Sequence, residues 1–525
     1  MNPKKETGTT GSWKYLLILC ICAFIVRLGF ILAADFPLNQ GGMFYGAVKD
    51  IIANNFRLPY YLSYNHDSIP FSYSPLSFYI AAALNVFAHI PLVAVFRFLP
   101  LIVSIATVPL FYLIGTELLG SSPAALVGTF LFIVSGGSFQ ALIEGGGLTR
   151  SFGLTAAMAS VYLMLRFYRS RRTAFAAAAS VTLALSLLFH IETSVFAVYS
   201  LIVFYLILDR SLRGFITSWA VGIGSLLIAS PWLVVILHRY GLTPFLAATH
   251  SNPWNLTFQQ LSLINFVGNP AIQMLPFLYV LGFLVCIDRK RYAIPLWALV
   301  LVTTASRMVI STTATVPLSL AAGAALSWFI IPKLRTITTR YLYTVSLAVL
   351  ALTTALTLWT SYWHTLTPFE AVDANNRTAM EWVRRNTEES SQFLVVTAVP
   401  AWGWFLDKHL EWFPALAERR SITTVQGSEW LPNEFMHRLN LTAQLKDCNG
   451  SNVNCVEAFI ARNHLKVDYI YVTKAVETDF DDRPCCQYLK DSLSSSGAYR
   501  LVYYGQGAAI WKRYANVKLN AAATR

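Results

Sequence analysis

Residues Asp35 to Tyr79 read DFPLNQGGMFYGAVKDIIANNFRLPYYLSYNHDSIPFSYSPLSFY. The stretch follows an apolar run at once. It is too polar to lie in lipid and too aromatic for an idle linker. It carries Asp35, Asp50, Asp67 and His66 among Tyr45, Tyr60, Tyr61, Tyr64, Tyr73 and Tyr79. Phe44, Ala47, Val48, Ile51 and Ile52 fall on one apolar helical face. A short amphipathic helix lying on a membrane surface fits that pattern. The stretch reads as the floor of an active site at the water–lipid boundary. The alternative is an aromatic cap on a helix bundle, since aromatic belts are ordinary at interfaces.

The rest of the chain supports the membrane setting. Of 525 residues, 55% are hydrophobic and 13% charged, and the mean hydropathy is +0.50. Such a composition belongs to a multi-span membrane protein. The net charge of +13 does not indicate nucleic-acid binding, because the basic residues fall largely between apolar segments. The first run, ending near Ala34, is expected to remain as a helix rather than be cleaved.

Apolar runs lie at about 15–34, 98–118, 123–142, 151–167, 174–189, 193–208, 214–237, 271–287, 292–305, 308–331 and 341–360. Basic clusters fall at Lys4/Lys5/Lys14, Arg166/Arg169/Arg171/Arg172, Arg210/Arg213, Arg289/Lys290/Arg291 and Lys333/Arg335. All face the cytoplasm if residues 75–90 form a surface or re-entrant helix instead of a span. The expected fold is therefore a polytopic α-helical membrane protein of about eleven spans, with its N-terminus cytoplasmic. The outer loop 35–95 carries juxtamembrane helices. Residues 1–364 form the transmembrane domain, and 365–525 form a soluble extracytoplasmic α/β domain.

This parity gathers polar groups from distant places onto one membrane face. Glu144-Gly-Gly-Gly-Leu-Thr-Arg150 suits an anion nest ahead of a helix N-terminus, or a plain tight turn. His190-Ile-Glu192 stands at the outer end of a span, where ionisable groups are costly. His238 and Arg239 open the next outer loop, which also holds His250. Arg307 suits a phosphate or snorkels to the interface.

In the tail, Ala379–Asn386 and Cys455–Asn463 read as helices. Phe393–Thr397 and Asp468–Thr473 read as strands, and Leu501–Tyr504 with Ala508–Lys512 as a hairpin. Glu411-Trp-Phe-Pro through Glu429-Trp430 sets aromatics beside carboxylates, facing either the membrane site or the domain core. Cys448 and Cys455 can close a short loop, with the pairing open. Asn255, Asn376, Asn440 and Asn449 head glycosylation sequons. Asp479, Asp481 and Asp482 have no second ligand group at a telling spacing, so no metal or other cofactor is expected.

The architecture resembles the GT-C superfamily of integral membrane glycosyltransferases, which includes protein O-mannosyltransferases, aminoarabinose transferases and the RgtA/B/C/D-like group. Gly41-Gly-Met-Phe-Tyr45 with Lys49-Asp50, Tyr73-Ser-Pro-Leu-Ser-Phe-Tyr79 and Gly146-Gly-Leu-Thr-Arg150 carry the resemblance. Members often have Asp-Glu where this chain has Asn39-Gln40, and Lys-Pro-Pro where it has Tyr73-Ser74-Pro75. The resemblance implies inverting transfer of a sugar from a polyprenyl-phosphate donor to a hydroxyl of a glycan, lipid or protein acceptor. It implies Asp35 as general base, with Glu144 or Asp67 as second choice. Arg150 and Arg307 would hold the phosphate. Tyr45, His190, Glu192, His238 and Arg239 would bind or orient substrate. The rival readings are an inactive scaffold of the same fold and, less well supported, a transporter.

The topology has a direct check. A cysteine placed by Ser170→Cys should react with an impermeant maleimide only after cells are opened, and one placed by Thr249→Cys in intact cells. The reverse pattern would invert the orientation.

Overall fold

The computed structural model describes residues 9–251, 274–304, 310–336, 344, 348, 369–399, 403, 407–474 and 485–514. Every apolar run named above is mostly helical where described, with a break at Ser135–Phe139 in the run 123–142; the run 341–360 lies almost wholly outside the described residues. Six helical stretches are long and apolar enough to cross a membrane: Trp13–Leu32, Leu92–Leu119, Gly147–Ser170, Ile191–Asp209, Leu212–Tyr240 and Ser311–Arg335. Others are shorter, such as Ser122–Val134 and Ala293–Thr304. The expected eleven full spans thus reduce, among the described residues, to six long helices and several short ones. At ~1.5 Å per residue, the helix Leu76–Phe87 is about 18 Å long, well short of a ~30 Å hydrocarbon layer.

The outer surface of the bundle shows what solvent it expects. Leu17, Ile18, Ile21 and Ile25 are exposed on α1 (Thr9–Leu32). Phe215, Ile216, Trp219, Ile223, Leu227 and Val234 are exposed on the helix Leu212–Tyr240. Rows of large apolar side chains facing outward are stable against lipid, not water. The central helix Gly147–Ser170 packs on Leu92–Ile105, Thr107–Leu119, Thr173–Phe189 and Ile191–Phe204. Gly153 allows one of these approaches: a Cβ there would meet Thr193 Oγ1 at 2.4 Å and His190 Cβ at 2.7 Å. At its C-terminal end α1 is tied down by Arg97, whose Nη2 donates to the carbonyl of Ile31 at 3.1 Å.

The first outer loop contains the expected amphipathic helix, α2 (Gly42–Ala53). Phe44, Ala47, Val48 and Ile51 are buried. A two-residue hairpin follows, β1 (Tyr61–Leu62) with β2 (Ile69–Pro70). The C-terminal domain has five further strands: β3 (Gln392–Val396), β4 (Arg420–Ser421), β5 (Tyr469–Thr473), β6 (Tyr499–Tyr504) and β7 (Ala508–Arg513). Their order is β4-β3-β5-β7-β6. β3 is parallel to β4 and β5, and β7 is antiparallel to β5 and β6.

Alternation along these strands divides the domain into two cores. Leu394, Val396, Ile470, Val472, Ala509 and Trp511 face the helices Glu434–Lys446, Val453–Arg462 and Gln487–Ser495. Phe393, Val395, Tyr469, Tyr471, Ala508 and Ile510 face the other way. They join one core with Phe36, Met43, Phe44, Val48, Ile69 and Phe78 of the first outer loop and its helices. The loop 35–95 and the domain beginning near residue 365 therefore share a hydrophobic core. Trp412 stands at the seam, fully buried, 4.7 Å from the Phe36 ring and 5.7 Å from the Tyr45 ring.

Buried ion pairs strengthen the seam. Asp67 accepts hydrogen bonds from Arg438 Nη1 at 2.7 Å and Asn65 Nδ2 at 2.6 Å. Asn65 also exchanges two bonds with the Ser421 backbone. Cys448 and Cys455 form a disulfide. Asn376 is buried with its amide on Asp373, and the Asn449 amide donates to the Thr397 carbonyl, so these two sequons serve the fold.

Trp412→Ala should destabilise the seam by about 3–5 kcal/mol, the usual cost of emptying a fully buried aromatic site. Trp219→Ala, on the lipid-facing surface, should change little. Thermal unfolding of the two purified variants checks this, and equal losses would refute the shared core.

Candidate active site

The site begins where two backbones touch. Leu38–Gly42 runs against the turn Glu144–Gly147, and the Gly145 N–H donates to the Leu38 carbonyl at 2.8 Å. A Cβ on Gly145 would lie 2.2 Å from the Gln40 carbonyl oxygen. A Cβ on Gly41, whose φ is +143°, would lie 2.9 Å from Gly145. Only glycine fits at both positions. The glycine run was open between an anion nest and a plain tight turn, and the structure shows a tight turn packed against the loop. The Gly145 and Gly147 N–H groups already bond the carbonyls of Leu38 and Glu144.

The contact brings four polar side chains together. Asn39 Nδ2 donates to Glu144 Oε1 at 3.1 Å. Arg150 lies 3.5 Å from Glu144 Oε2 and donates to Gln40 Oε1 at 3.4 Å. Both are long for charge-assisted contacts. The Arg150 Nε is buried without a hydrogen-bond partner among the described residues. Burial raises the Glu144 carboxyl above the ordinary range, against the lowering pull of Arg150 and the Asn39 amide.

Beyond Arg150 lies Tyr73. Its hydroxyl is 3.3 Å from Thr149 Oγ1, and its ring packs on Phe44 at 4.9 Å and His190 at 6.1 Å. Burial raises its phenol well above the usual value. His190 breaks the chain between two helices and caps the second, its Nδ1 accepting from the Thr193 N–H at 3.4 Å. That bond assigns the ring proton to Nε2, which points toward Glu192 Oε2 at 3.9 Å. Burial, with the Arg150 charge adding to it, lowers His190 to about 3, so the imidazole stays neutral.

The C-terminal domain adds two carboxylates. Glu411 Oε1 accepts from the N–H groups of Gly41 at 2.7 Å and Gly42 at 3.1 Å, at the start of α2. Glu429 follows in the short helical turn Ser428–Trp430. Burial raises Glu411 to about 8, with Glu429 raising it further, and raises Glu429 to about 7. Trp430 packs edge-on against Tyr73 at 5.7 Å. The run Glu411–Trp430 was open between core and site; it serves both. Its aromatic–carboxylate pairing was the signal in the sequence, though nothing there ranked these two residues above the others.

The remaining residues named from the sequence fall elsewhere. Asp35 does not join the cluster. It is exposed and doubly bonded by the Arg377 guanidinium, one contact at 2.9 Å, and that hydrogen bonding holds its carboxyl below the usual range. Asp67 is locked in the seam. Tyr45 packs on Phe96 and Trp412. Arg239 clamps the loop, donating to the carbonyls of Leu58 at 3.1 Å and Pro59 at 2.9 Å, with its guanidinium 4.0 Å over the Tyr60 ring. His238 and His250 are exposed. Arg307 lies outside the described residues.

Chemically, the cluster offers a carboxylate that binds protons readily, one guanidinium with an unpartnered Nε, and a neutral imidazole. That combination suits base catalysis beside an anionic leaving group. Among the described residues no group of three or more His, Cys, Asp or Glu side chains is placed to hold a metal.

The acidic groups predict a pH response. Folded Glu411 and Glu429 hold protons more tightly than the unfolded chain, so stability is lost as pH rises through their folded values. The thermal midpoint of the protein should fall from about pH 5 to about pH 8, and the double variant Glu411→Gln with Glu429→Gln should flatten that slope. A double variant whose midpoint follows the wild-type pH profile across this window would refute the assignment.

No family model and no curated protein matches the chain. Solved structures share its fold. One is the archaeal oligosaccharyltransferase AglB from Archaeoglobus fulgidus, in complex with an inhibitory peptide and a dolichol-phosphate. It has a TM-score of 0.57 and 14% identity, over 89% of this chain and 70% of that one. Another is ArnT from Cupriavidus metallidurans bound to undecaprenyl phosphate, at 0.56 and 11%, over 96% and 98%. A third is the arabinofuranosyltransferase AftD from Mycobacteria, at 0.58 and 14%, over 96% and 40%. All three have the GT-C architecture. At these identities the likeness is one of fold.

Proposed function

We propose that this chain, which has the GT-C fold, is an integral membrane glycosyltransferase. It takes a sugar from a polyprenyl-phosphate donor and passes it to an acceptor hydroxyl at the extracytoplasmic face. The observation that carries this reading is the buried Glu144–Arg150 pair, held against the first outer loop by Asn39 and Gln40. Similar folds were solved with a dolichol-phosphate and an undecaprenyl phosphate, which supports a lipid-linked donor for this one.

In this reading Glu144 is the general base. Burial makes it a better proton acceptor than an exposed carboxylate. Asp35, the residue first expected in this role, is held as an anion by Arg377 at the surface. Asp67 is held by Arg438 and Asn65 on Oδ2, with the Arg420 guanidinium 3.4 Å from Oδ1. Arg150 meets the donor phosphate through its unpartnered Nε, and Arg307 is retained beside it as a proposal from sequence. His190, neutral with its proton on Nε2, donates a hydrogen bond to acceptor or phosphate, and Glu192 orients it. Attack is a single displacement: the acceptor oxygen bonds the anomeric carbon, the polyprenyl phosphate leaves with the bonding pair, and Glu144 takes the hydroxyl proton. The anomeric centre inverts, and no enzyme-linked sugar forms. The N-terminus is cytoplasmic and the C-terminal domain extracytoplasmic.

A second reading has one specific observation behind it. Asn39 and Gln40 stand where an acidic pair is often found, which suits an inactive scaffold of the same fold. Transfer assays separate the two. Membranes supplied with polyprenyl-phosphate-linked glucose, mannose, galactose and arabinose should form product with one of these sugars. Glu144→Gln should lower that rate by at least about 100-fold, in the range of a lost acid–base group, whereas Asp35→Asn should retain it within a few-fold. Full activity in Glu144→Gln removes Glu144 from the role. No product with any sugar favours the scaffold.

A further inference from the structure

The turn that carries Glu429 is pressed against the first outer loop. Gly427 has φ +89°, and a Cβ there would lie 2.4 Å from Ile69 Cδ1, so the chain can pass only as glycine. The next residues form the turn Ser428–Trp430. The backbone N–H groups of Gly427 and Glu429 lie near enough to the Glu429 carboxyl to favour its charged form. Its Oε2, however, is buried with no hydrogen-bond partner among the described residues. A carboxylate oxygen in that position is costly unless something donates to it.

The surroundings narrow what that donor is. The Glu429 charge acts on the Tyr73 hydroxyl and on Glu411, which places it among those groups. Trp430 packs on Tyr73 at 5.7 Å and on Phe245 at 6.3 Å, so aromatic rings stand beside the carboxylate. A phosphodiester presents only acceptor oxygens and has no proton to give to Oε2. A metal has no ligand set among the described residues. A neutral hydroxyl fits both halves of the setting: it donates to the oxygen, while the apolar C–H groups of its ring pack on the aromatics.

Building on the proposed glycosyltransferase reading, we infer that Glu429 is a sugar-binding carboxylate supplied by the C-terminal domain, whose Oε2 accepts a hydroxyl of a glycoside seated beside Tyr73 and Trp430. The soluble domain then contributes directly to the site. The glycoside is either the donor sugar or the acceptor, and the same chemistry serves both.

The test uses full-length protein in lipid nanodiscs. Binding is measured for undecaprenyl phosphate, for its glucose, mannose, galactose and arabinose conjugates, and for the four corresponding methyl glycosides. Wild type is compared with Glu429→Gln, which keeps the side-chain shape, and Glu429→Asp, which shortens its reach. Both variants are checked for unchanged elution and thermal midpoint at pH 6. Glu429→Gln should weaken one sugar ligand by a few-fold to about 10-fold, the scale of one lost hydrogen bond, and leave bare undecaprenyl phosphate within about twofold. Loss confined to a conjugate assigns Glu429 to the donor sugar, and loss confined to a methyl glycoside assigns it to the acceptor. If wild type ignores undecaprenyl phosphate but binds a glycoside in a Glu429-dependent way, the lipid-donor reading falls and this inference stands. Sugar binding identical in wild type and both variants, or no sugar bound by wild type, overturns it.

Discussion

Leu38–Gly42 must lie on Glu144–Gly147 with no side chain between the two backbones. Everything else in the site depends on that contact. It sets the Asn39 amide on Glu144 and the Gln40 carbonyl near Arg150. It also leaves the N–H groups of Gly41, which caps α2, and of Gly42, its first residue, to Glu411 of the distant C-terminal domain, which accepts both. A helix N-terminus carries partial positive charge, so a carboxylate is well placed there. Tyr64 donates to the Glu411 backbone carbonyl at 2.6 Å and fixes the same segment from the other side. Loop, turn and soluble domain are thus held by one short stretch of main chain.

The charge balance follows from this arrangement. Glu144 pairs with the Arg150 guanidinium, whose field reaches Glu411, Tyr73 and His190 as well, and Glu429 adds a third buried carboxyl near Glu411. Several buried anions with one cation cannot all stay ionised at low cost. The protein meets the excess in two ways. Main-chain N–H groups bond Glu411 and favour the charged form of Glu429. Burial also raises the proton affinity of all three carboxyls. A site arranged so has proton acceptors ready and an undischarged demand for hydrogen-bond donors, which a polyol supplies and a phosphate does not. Arg150, on the Glu144 side, is where an anion gains.

Much of this was legible before any coordinates. The 3.6-residue apolar period of Phe44–Ile52 marked α2, and the alternation in the tail marked β3, β5 and the β6–β7 hairpin. Glu144, Arg150 and His190 stood out because ionisable groups beside apolar runs are expensive. Asp35 misled because its partner, Arg377, is more than 300 positions away, and nothing local distinguishes a bound carboxylate from an available one. The same distance hid the role of Glu411. The glycines after Glu144 were conspicuous, but a run of glycine signals close approach without saying whether a ligand or another strand of the protein approaches. Arg239 looked like a substrate ligand for a similar reason: its carbonyl partners, Leu58 and Pro59, carry no signature in sequence.

The replacement of an acidic pair by Asn39-Gln40 takes on meaning from the geometry. Asn39 Nδ2 is 3.1 Å from Glu144, and Asn39 Oδ1 accepts from the Glu370 N–H at 2.8 Å. A carboxylate in place of that amide would set two like charges at hydrogen-bond distance, and one would have to take up a proton. The amide avoids this, because it gives a proton to Glu144 on one side and accepts one from the chain on the other. Gln40 likewise offers Arg150 a neutral acceptor, which leaves the guanidinium charge less compensated than an acid would. Read this way, the amides do not empty the site of chemistry. In the proposed mechanism they move the base carboxylate across the contact, from the loop to the turn.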